Sequence, residues 1–312
     1  MARRHLTAFI ALIVASLFLF TGLVHFSALP QVSWAHGSNE DAVLYVHYDG
    51  TEVGRRNLKF FVDHALHRNI DFYFIINGHE TQQVFPDAPN IHIIRRDNSC
   101  YDLGTHGVVL QQDNGALMKK YKRFILTNSS IRGPFFPAWA RHIKKACWTE
   151  VMFSALKNNV KLVGLTANCM EGNRDEQHLQ SMMLATDRQG LDAMMPSLQC
   201  FGDRDDAIVN GEMALTRRLR DAGFDAMPLY SGYFAGQSPS SPQAFWDKCT
   251  HGDVFLPEEY SGGMDIHPFD TLFAKIVRAD LDKEPLSPVG MASIHQLTQW
   301  ADESQFSSYD QC

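Results

Sequence analysis

The sequence predicts an α/β fold: a Rossmann-type, mostly parallel sheet flanked by helices and preceded by one N-terminal transmembrane helix. Three observations predict it. Between residues 42 and 76 a strand pattern, a helical pattern and a second strand pattern follow one another at the spacing of a βαβ unit. The apolar run Phe124-Ile125-Leu126 then gives way to Asn128-Ser129-Ser130, as a buried strand does where it opens into a loop. Residues 6–24 carry no charge at all.

That uncharged run comes first in the chain. At about 1.5 Å per residue it just spans a hydrocarbon core of roughly 30 Å. A cleaved signal peptide has a shorter apolar region of about 7–15 residues, so the run predicts an uncleaved anchor. Ser33-Trp34-Ala35 offers a cleavage site as the alternative, which would release the body. Arg3 and Arg4 precede the run and the next basic residue is Arg55. The positive-inside rule then leaves the N-terminus cytosolic and the body across the membrane. The expected order is a cytosolic tail over 1–5, an anchor over 6–26, a stem over 27–40, a globular body over 41–280 and a C-terminal tail over 281–312. The sequence leaves the docking of that tail open.

Of the 312 residues, 20% are charged and 45% hydrophobic, which suits one large α/β domain or two small ones. The net charge of −7 and the absence of a basic cluster exclude a nucleic-acid binder. Six cysteines follow the apolar run, an even number that fits disulfides in an oxidising compartment. Their pairing stays open, and none has zinc-ligand spacing.

Within the body, 42–48 reads as a first buried strand stopped by Asp49-Gly50. Residues 52–69 place apolar side chains at helical intervals, and 71–76 and 91–94 read as further strands. Neither a G-x-G-x-x-G nor a Walker A motif follows the first strand, so a dinucleotide or P-loop site lacks its signature. Asn98 and Asp102 flank Cys100-Tyr101 ahead of Gly104. Asp102 reads either as a helix N-cap or, with Asn98, as a polar contact at a strand end. Asn128-Ser129-Ser130 reads equally as a turn, as an N-x-S sequon, or as the mouth of a ligand crevice at a strand's carboxyl end. Residues 137–158 read as helix and 161–165 as strand. His178 and Gln180 share one face if 178–180 is a strand. Asp203-x-Asp205 offers two carboxylates to a hard cation or to solvent. Residues 212–222 read as a helix ended by Gly223, and 272–277 as a late strand or short helix.

Taken in order, seven segments resemble the rhamnan-synthesis F-type glycosyltransferases and their eukaryotic single-pass relatives. They are YDG at 48–50, DFYFIING at 71–78, the Asn98-to-Gly104 step, RFILTNSSIRGPFFP at 123–137, HLQSMMLA at 178–185, GEMALTRRLRDAGFDAMPL at 211–229 and HPFDTLFAKIVR at 267–278. The resemblance implies a GT-A-like catalytic domain over 41–280. It would transfer a sugar, rhamnose or another deoxyhexose or hexose, from a nucleotide-sugar donor to a glycan acceptor. It also implies a single-pass type II protein of the Golgi or ER membrane. Asp49, Asn98, Asp102, Asn128, Ser129, Ser130 and Arg132 are then the expected donor contacts, with Glu212 and His178 as candidate bases. The family's place for an Asp-x-Asp that holds Mn²⁺ or Mg²⁺ reads Asn-Ser-Ser here, and neutral side chains are weak ligands for such ions. The diphosphate then needs another cation. Arg132 stands first by position, ahead of Lys275 and Arg278. The competing readings are a catalytically silent glycan- or nucleotide-sugar-binding relative, and a hydrolase using His47 or Asp49.

Overall fold

β1 (Asp41–Tyr48) lies in the interior of the sheet because both of its faces are apolar. Val43 and Tyr45 pack on one side, and Ala42, Leu44 and Val46 on the other. A strand covered on both faces is what a parallel sheet requires. The computed structural model describes residues 39–136, 147–229, 242–250, 271–276 and 288–312, and Asn39–Cys312 is one compact unit.

The chain continues through α1 (Glu52–His64), β2 (Asp71–Asn77), β3 (Ile91–Arg96), α2 (Asp102–Lys120), β4 (Arg123–Asn128) and β5 (Ile131–Arg132). α3 (Trp148–Phe153), β6 (Val160–Gly164), β7 (Ala167–Asn168), β8 (His178–Leu179), β9 (Met183–Asp187) and α4 (Arg188–Met194) follow. The helix α5 joins Arg204–Asp206, a π-wound stretch Ala207–Met213 and Ala214–Asp221. β10 (Asp225–Pro228), α6 (Pro242–Lys248), β11 (Ala274–Lys275), α7 (Pro288–Glu303) and α8 (Ser308–Gln311) complete the described elements.

Seven strands form the main sheet in the order β10-β6-β9-β4-β1-β2-β3. The run β4-β1-β2-β3 is parallel, β10 is parallel to β6, and β9 is antiparallel to both β4 and β6. The predicted mostly parallel sheet is therefore present. The parallel register brings the carboxyl ends of its strands to one edge, with Tyr48 opposite Asn77 and Asn77 opposite Arg96. Asn128, opposite Val46, is the last residue of β4 at that edge. One core layer packs α1 and α3 on the sheet, including Leu58, Phe61, Phe72, Phe74 and Trp148. The other packs the α2, α4 and α5 side through Leu110, Leu191, Leu215 and Leu219.

Several sequence expectations are corrected. The helix expected over 52–69 ends at His64, whose backbone carbonyl accepts the Ser308 hydroxyl at 2.7 Å. Of the helix expected over 137–158, the described part is only Trp148–Phe153; Asn158 takes φ +53° in the turn that feeds β6, and 137–146 lie outside the described residues. The strand expected within 272–277 shortens to Ala274–Lys275, paired with β5. The C-terminal segment docks: Met291 and Ile294 pack with Phe60, Phe135, Ala274 and Ile276. Among the described residues no helix is long and apolar enough to cross a membrane, and the apolar run 6–24 lies outside them. Three disulfides settle the pairing the sequence left open: Cys100–Cys200, Cys147–Cys312 and Cys169–Cys249.

Candidate functional site

β4 delivers Asn128 to the carboxyl edge of the sheet because Phe124, Ile125 and Leu126 are held in the two core layers behind it. Asn128 is buried, 6% exposed, and both ends of its amide are engaged. Its Nδ2 donates to Asp102 Oδ2 at 2.8 Å, and its Oδ1 accepts from the Ser130 backbone N–H at 3.0 Å and from the Ser130 hydroxyl. An amide tied on both sides inside the fold does not suit the sequon reading; residues 129 and 130 form the turn, and Asn128 lines a cavity at the strand's end.

The short β5–β11 pair then folds the chain back so that Lys275 reaches this loop, its Nζ donating to Ser130 Oγ at 2.8 Å. Asp102, at the first turn of α2, receives its side-chain bond from Asn128, and the N-cap of α2 is Tyr101. The N-cap reading of Asp102 is therefore replaced by a cross-chain contact. Asp102 is open to a cavity of about 380 Å³, yet protein crowds it closely. Desolvation pushes its carboxyl up to about 6, with Lys275 and Asn128 pulling the other way and Glu212 adding to the rise. Solvent in the cavity screens part of that desolvation.

The same cavity collects Glu212 and His178 on its far wall. Glu212 belongs to the π-wound stretch of α5, a winding that re-aims side chains and recurs at functional sites. One of its carboxylate oxygens accepts the Ser181 backbone N–H at 2.7 Å. His178 is buried in β8, and its Nδ1 donates to the Glu176 carbonyl at 2.6 Å. A carbonyl only accepts, so Nδ1 carries a proton and Nε2 is the nitrogen this bond leaves unengaged. Two disulfides brace these walls: Cys100–Cys200 ties the segment before Asp102 to that before Phe201, and Cys169–Cys249 holds the strand end that carries Asn168.

The expected site residues separate into three places. Asp102, Asn128, His178 and Glu212 line the cavity just described, and Ser130 stands beside it through Asn128 and Lys275. Asp49 and Asn98 line a second, larger hollow of about 810 Å³ at the ends of β1, β2 and β3, with Tyr48, Asn77 and Arg95. There Asp49 accepts from Arg55 Nη1 at 2.8 Å and from the Gln82 amide at 3.2 Å. Desolvation raises the Asp49 carboxyl, but these two bonds and the charges of His47 and Arg55 leave it below its ordinary value. Ser129 turns to α1, its carbonyl accepting from Asn57 Nδ2 at 2.9 Å.

Arg132 is placed elsewhere. Its guanidinium donates to Asn57 Oδ1 at 2.9 Å and to Thr298 Oγ1 at 3.3 Å, on the α7 side of the sheet. Side chains alternate along β5 and β11, so Arg132 and Lys275 cannot both face the loop. Lys275 takes that position.

Asp203 caps α5 by accepting the Asp206 N–H at 2.9 Å, and among the described residues no third acid or histidine joins Asp203 and Asp205 as a ligand group. The His67, Cys147 and Cys312 grouping has its two sulfurs joined to each other, so it offers no thiolate pair. Among the described residues no three carboxylate or histidine donors converge on Asn128. The group there does not fit a divalent ion: the amide oxygen is engaged by Ser130, and an ammonium stands on the Ser130 hydroxyl. Sequence reasoning missed Asn57, Asn168 and Ser181. Only Asn57 left a signal, as a buried polar residue on the apolar face of α1.

No family model and no curated protein matches the sequence. Solved structures resemble part of the fold. The mannosyltransferase PcManGT from Pyrobaculum calidifontis, in complex with GDP-Man and Mn²⁺, is 10% identical with a TM-score of 0.38 over 61% of this chain. This chain covers 54% of that enzyme, about half its length. A protein from Desulfovibrio desulfuricans G20 described as a nucleotide-diphospho-sugar transferase is 11% identical, with a TM-score of 0.39 over 61% of this chain and 80% of its own. The catalytic domain of Drosophila β1,4-galactosyltransferase 7, in complex with xylobiose, is 9% identical, with a TM-score of 0.32 over 61% of this chain and 64% of its own.

Proposed function

We propose that the chain is a glycosyltransferase that moves a sugar from a nucleotide-sugar donor to a glycan or glycoconjugate acceptor, with Lys275 in the place of a metal ion. The observation that carries this reading is the chain of contacts Asp102–Asn128–Ser130–Lys275 across the carboxyl end of β4, facing Glu212 and His178. Ligands of open α/β sheets bind at that edge. A cation set among neutral donors suits a diphosphate leaving group, whose charge grows as the sugar departs.

In this reading the nucleoside occupies the larger hollow at Asp49 and Asn98, and the diphosphate meets Lys275 and Ser130. Asp102 and Asn128 hydrogen-bond the sugar or ribose. An acceptor hydroxyl enters on the α5 wall and gives its proton to Glu212, whose carboxylate the Ser181 amide holds in position. The acceptor oxygen bonds to the anomeric carbon, and the bond from that carbon to the phosphate oxygen breaks with its electron pair leaving on the diphosphate. His178, whose ring the Glu176 carbonyl orients through Nδ1, is the second candidate base on that wall. Rhamnose, another deoxyhexose or a hexose fits this scheme. The apolar run 6–24 anchors the enzyme to the Golgi or ER membrane, and the three disulfides suit an oxidising lumen.

The test is a thermal-shift panel of nucleotide sugars on the full chain, with EDTA or with Mn²⁺. One donor is expected to stabilise the protein equally in both, by roughly 2.7 kcal/mol at 100 times its Kd. Lys275→Gln is expected to weaken nucleoside diphosphate binding about 10- to 100-fold, the scale of a lost charged hydrogen bond. Glu212→Gln is expected to keep donor binding and lose transfer. Stabilisation only with Mn²⁺ would remove Lys275 from its role. Donor binding without nucleotide release to any glycan would identify a binding protein instead.

A further inference from the structure

Arg132 is a buried cation whose hydrogen-bond partners are both neutral. It is 6% exposed, and Asn57 and Thr298 accept its hydrogen bonds. Among the described residues no carboxylate lies within ion-pair distance of it. A guanidinium removed from water without a counter-charge is strongly unfavourable. Its surroundings keep it so, since burial and the nearby Arg56 both hold it below its ordinary value, against a weaker pull from Asp302.

The guanidinium borders a cavity of about 500 Å³ between α1 and α7, also lined by Arg56, Lys59, His295 and Thr298. The acids of that wall are already engaged. Asp63 accepts from Lys59, Asp302 bonds His64 Nε2 at 2.9 Å, and Glu303 accepts from Gln299 at 2.7 Å. Arg56 in turn is paired with Glu52. The Arg132 guanidinium, with hydrogen bonds only to neutral groups, borders a cavity large enough for a small ligand, with the His295 imidazole beside it.

We infer that this cavity is a binding site for a small oxyanion, a phosphate or carboxylate group held by the Arg132 guanidinium, which Thr298 positions, with His295 at its rim. The planar guanidinium fork matches both kinds of anion. The site stands on the opposite side of β5 from Lys275 and does not depend on the transferase reading. It is joined to the β4 loop all the same. Asn57 accepts from Arg132 through Oδ1 and donates to the Ser129 carbonyl through Nδ2, both at 2.9 Å. An anion that draws on Arg132 therefore acts on the side chain that holds the loop from behind.

Melting curves of the full chain in detergent, titrated with inorganic phosphate and separately with sodium acetate at matched ionic strength, test the inference. A saturable rise in melting temperature is expected with at least one of the two, and the stronger one identifies the group the site takes. Each variant is read against its own ligand-free curve. Arg132→Met is expected to abolish the rise, and Thr298→Val and His295→Ala to weaken the anion several-fold. The last two carry the test should Arg132→Met fail to fold. Lys275→Gln is expected to keep the rise, which separates this cavity from the one at Asp102. No rise with either anion in the wild type would overturn the inference. So would a rise that survives in Arg132→Met, one undiminished in both Thr298→Val and His295→Ala, or one lost in Lys275→Gln alone.

Discussion

At Asp102 two opposing demands meet. Crowding by protein favours the neutral acid, whereas Lys275 and Asn128 favour the carboxylate, and crowding prevails in part. The native carboxyl therefore holds its proton to a higher pH than the unfolded one does. The native state binds more protons between the ordinary carboxylate value near 3.8 and about 6, and stability falls as pH rises through that window. Asp102→Asn cannot titrate, so its melting temperature is expected to gain on the wild type from pH 4 to 6 and then hold a constant difference. Melting curves across that range check the sign; a variant whose melting temperature loses ground to the wild type from pH 4 to 6 would reverse the assignment. Asp102→Ala is also expected to lower donor affinity, because Asn128 then loses the acceptor that orients its amide. Unchanged donor binding in a direct titration would take Asp102 out of the site. Both substitutions act through one hydrogen bond, and neither needs the fold to move.

At the level of elements, the site depends on how closely α2 approaches its neighbours. A Cβ built on Gly107 would lie 1.7 Å from the Leu198 carbonyl oxygen, far inside any real contact. Replacing glycine by alanine in a helix ordinarily gains about 1 kcal/mol. Here steric overlap wins, since relieving it means moving backbone rather than a flexible side chain. Gly107→Ala is expected to destabilise the protein by about 1–3 kcal/mol, as overpacked cores do. Denaturant unfolding measures it, and a stabilised variant would show that α2 has room the packing denies. α2 begins at Asp102, so the same shift is expected to weaken ligand binding in the cavity. The π-wound part of α5 is the other local device. The sequence reading began this helix at residue 212, whereas the structure begins it at Arg204 and winds Ala207–Met213 as the π stretch.

For the whole molecule, acid stability is set by buried histidines. Desolvation lowers His47 and His67 to about 4 and His106 to about 3, against an ordinary value of 6.5. All three are neutral in the native state and protonate on unfolding. Stability is expected to fall as pH drops from about 6.5 towards 4, by up to about 1.4 kcal/mol per pH unit for each ring. This opposes and outweighs the Asp102 trend. His106→Gln is expected to flatten the profile in a pH series of melting curves; an unchanged slope would exclude that ring. The Cys147–Cys312 disulfide closes a loop of 165 residues and fixes the C-terminus to α3. Its removal as the Cys147→Ser, Cys312→Ser pair is expected to cost about 2–5 kcal/mol, read as a lower denaturant midpoint. Since α7 forms one wall of the Arg132 cavity, loosening the C-terminus is also expected to weaken anion binding there.

Periodicity in the sequence determined the sheet. Strands β1, β2, β4 and β6 were legible because a segment covered on both faces must be largely apolar, and β3, at the sheet's edge, as a short apolar run; the polar residues that end these runs mark the carboxyl edge. Hence Asn128, Asp102 and Asp49 could be singled out before any geometry was known. Tertiary structure alone decided which of them share a cavity. It set Lys275 on Ser130 across 145 residues of chain, turned Arg132 away to Asn57 and Thr298, and paired the cysteines. The reason is physical. Periodicity is local and reports only which face of an element is buried, whereas the partner of a charged side chain is chosen by the register of strands distant in sequence. One register step in the β5–β11 pair separates Lys275, which reaches the Asn128 loop, from Arg132, which faces α7.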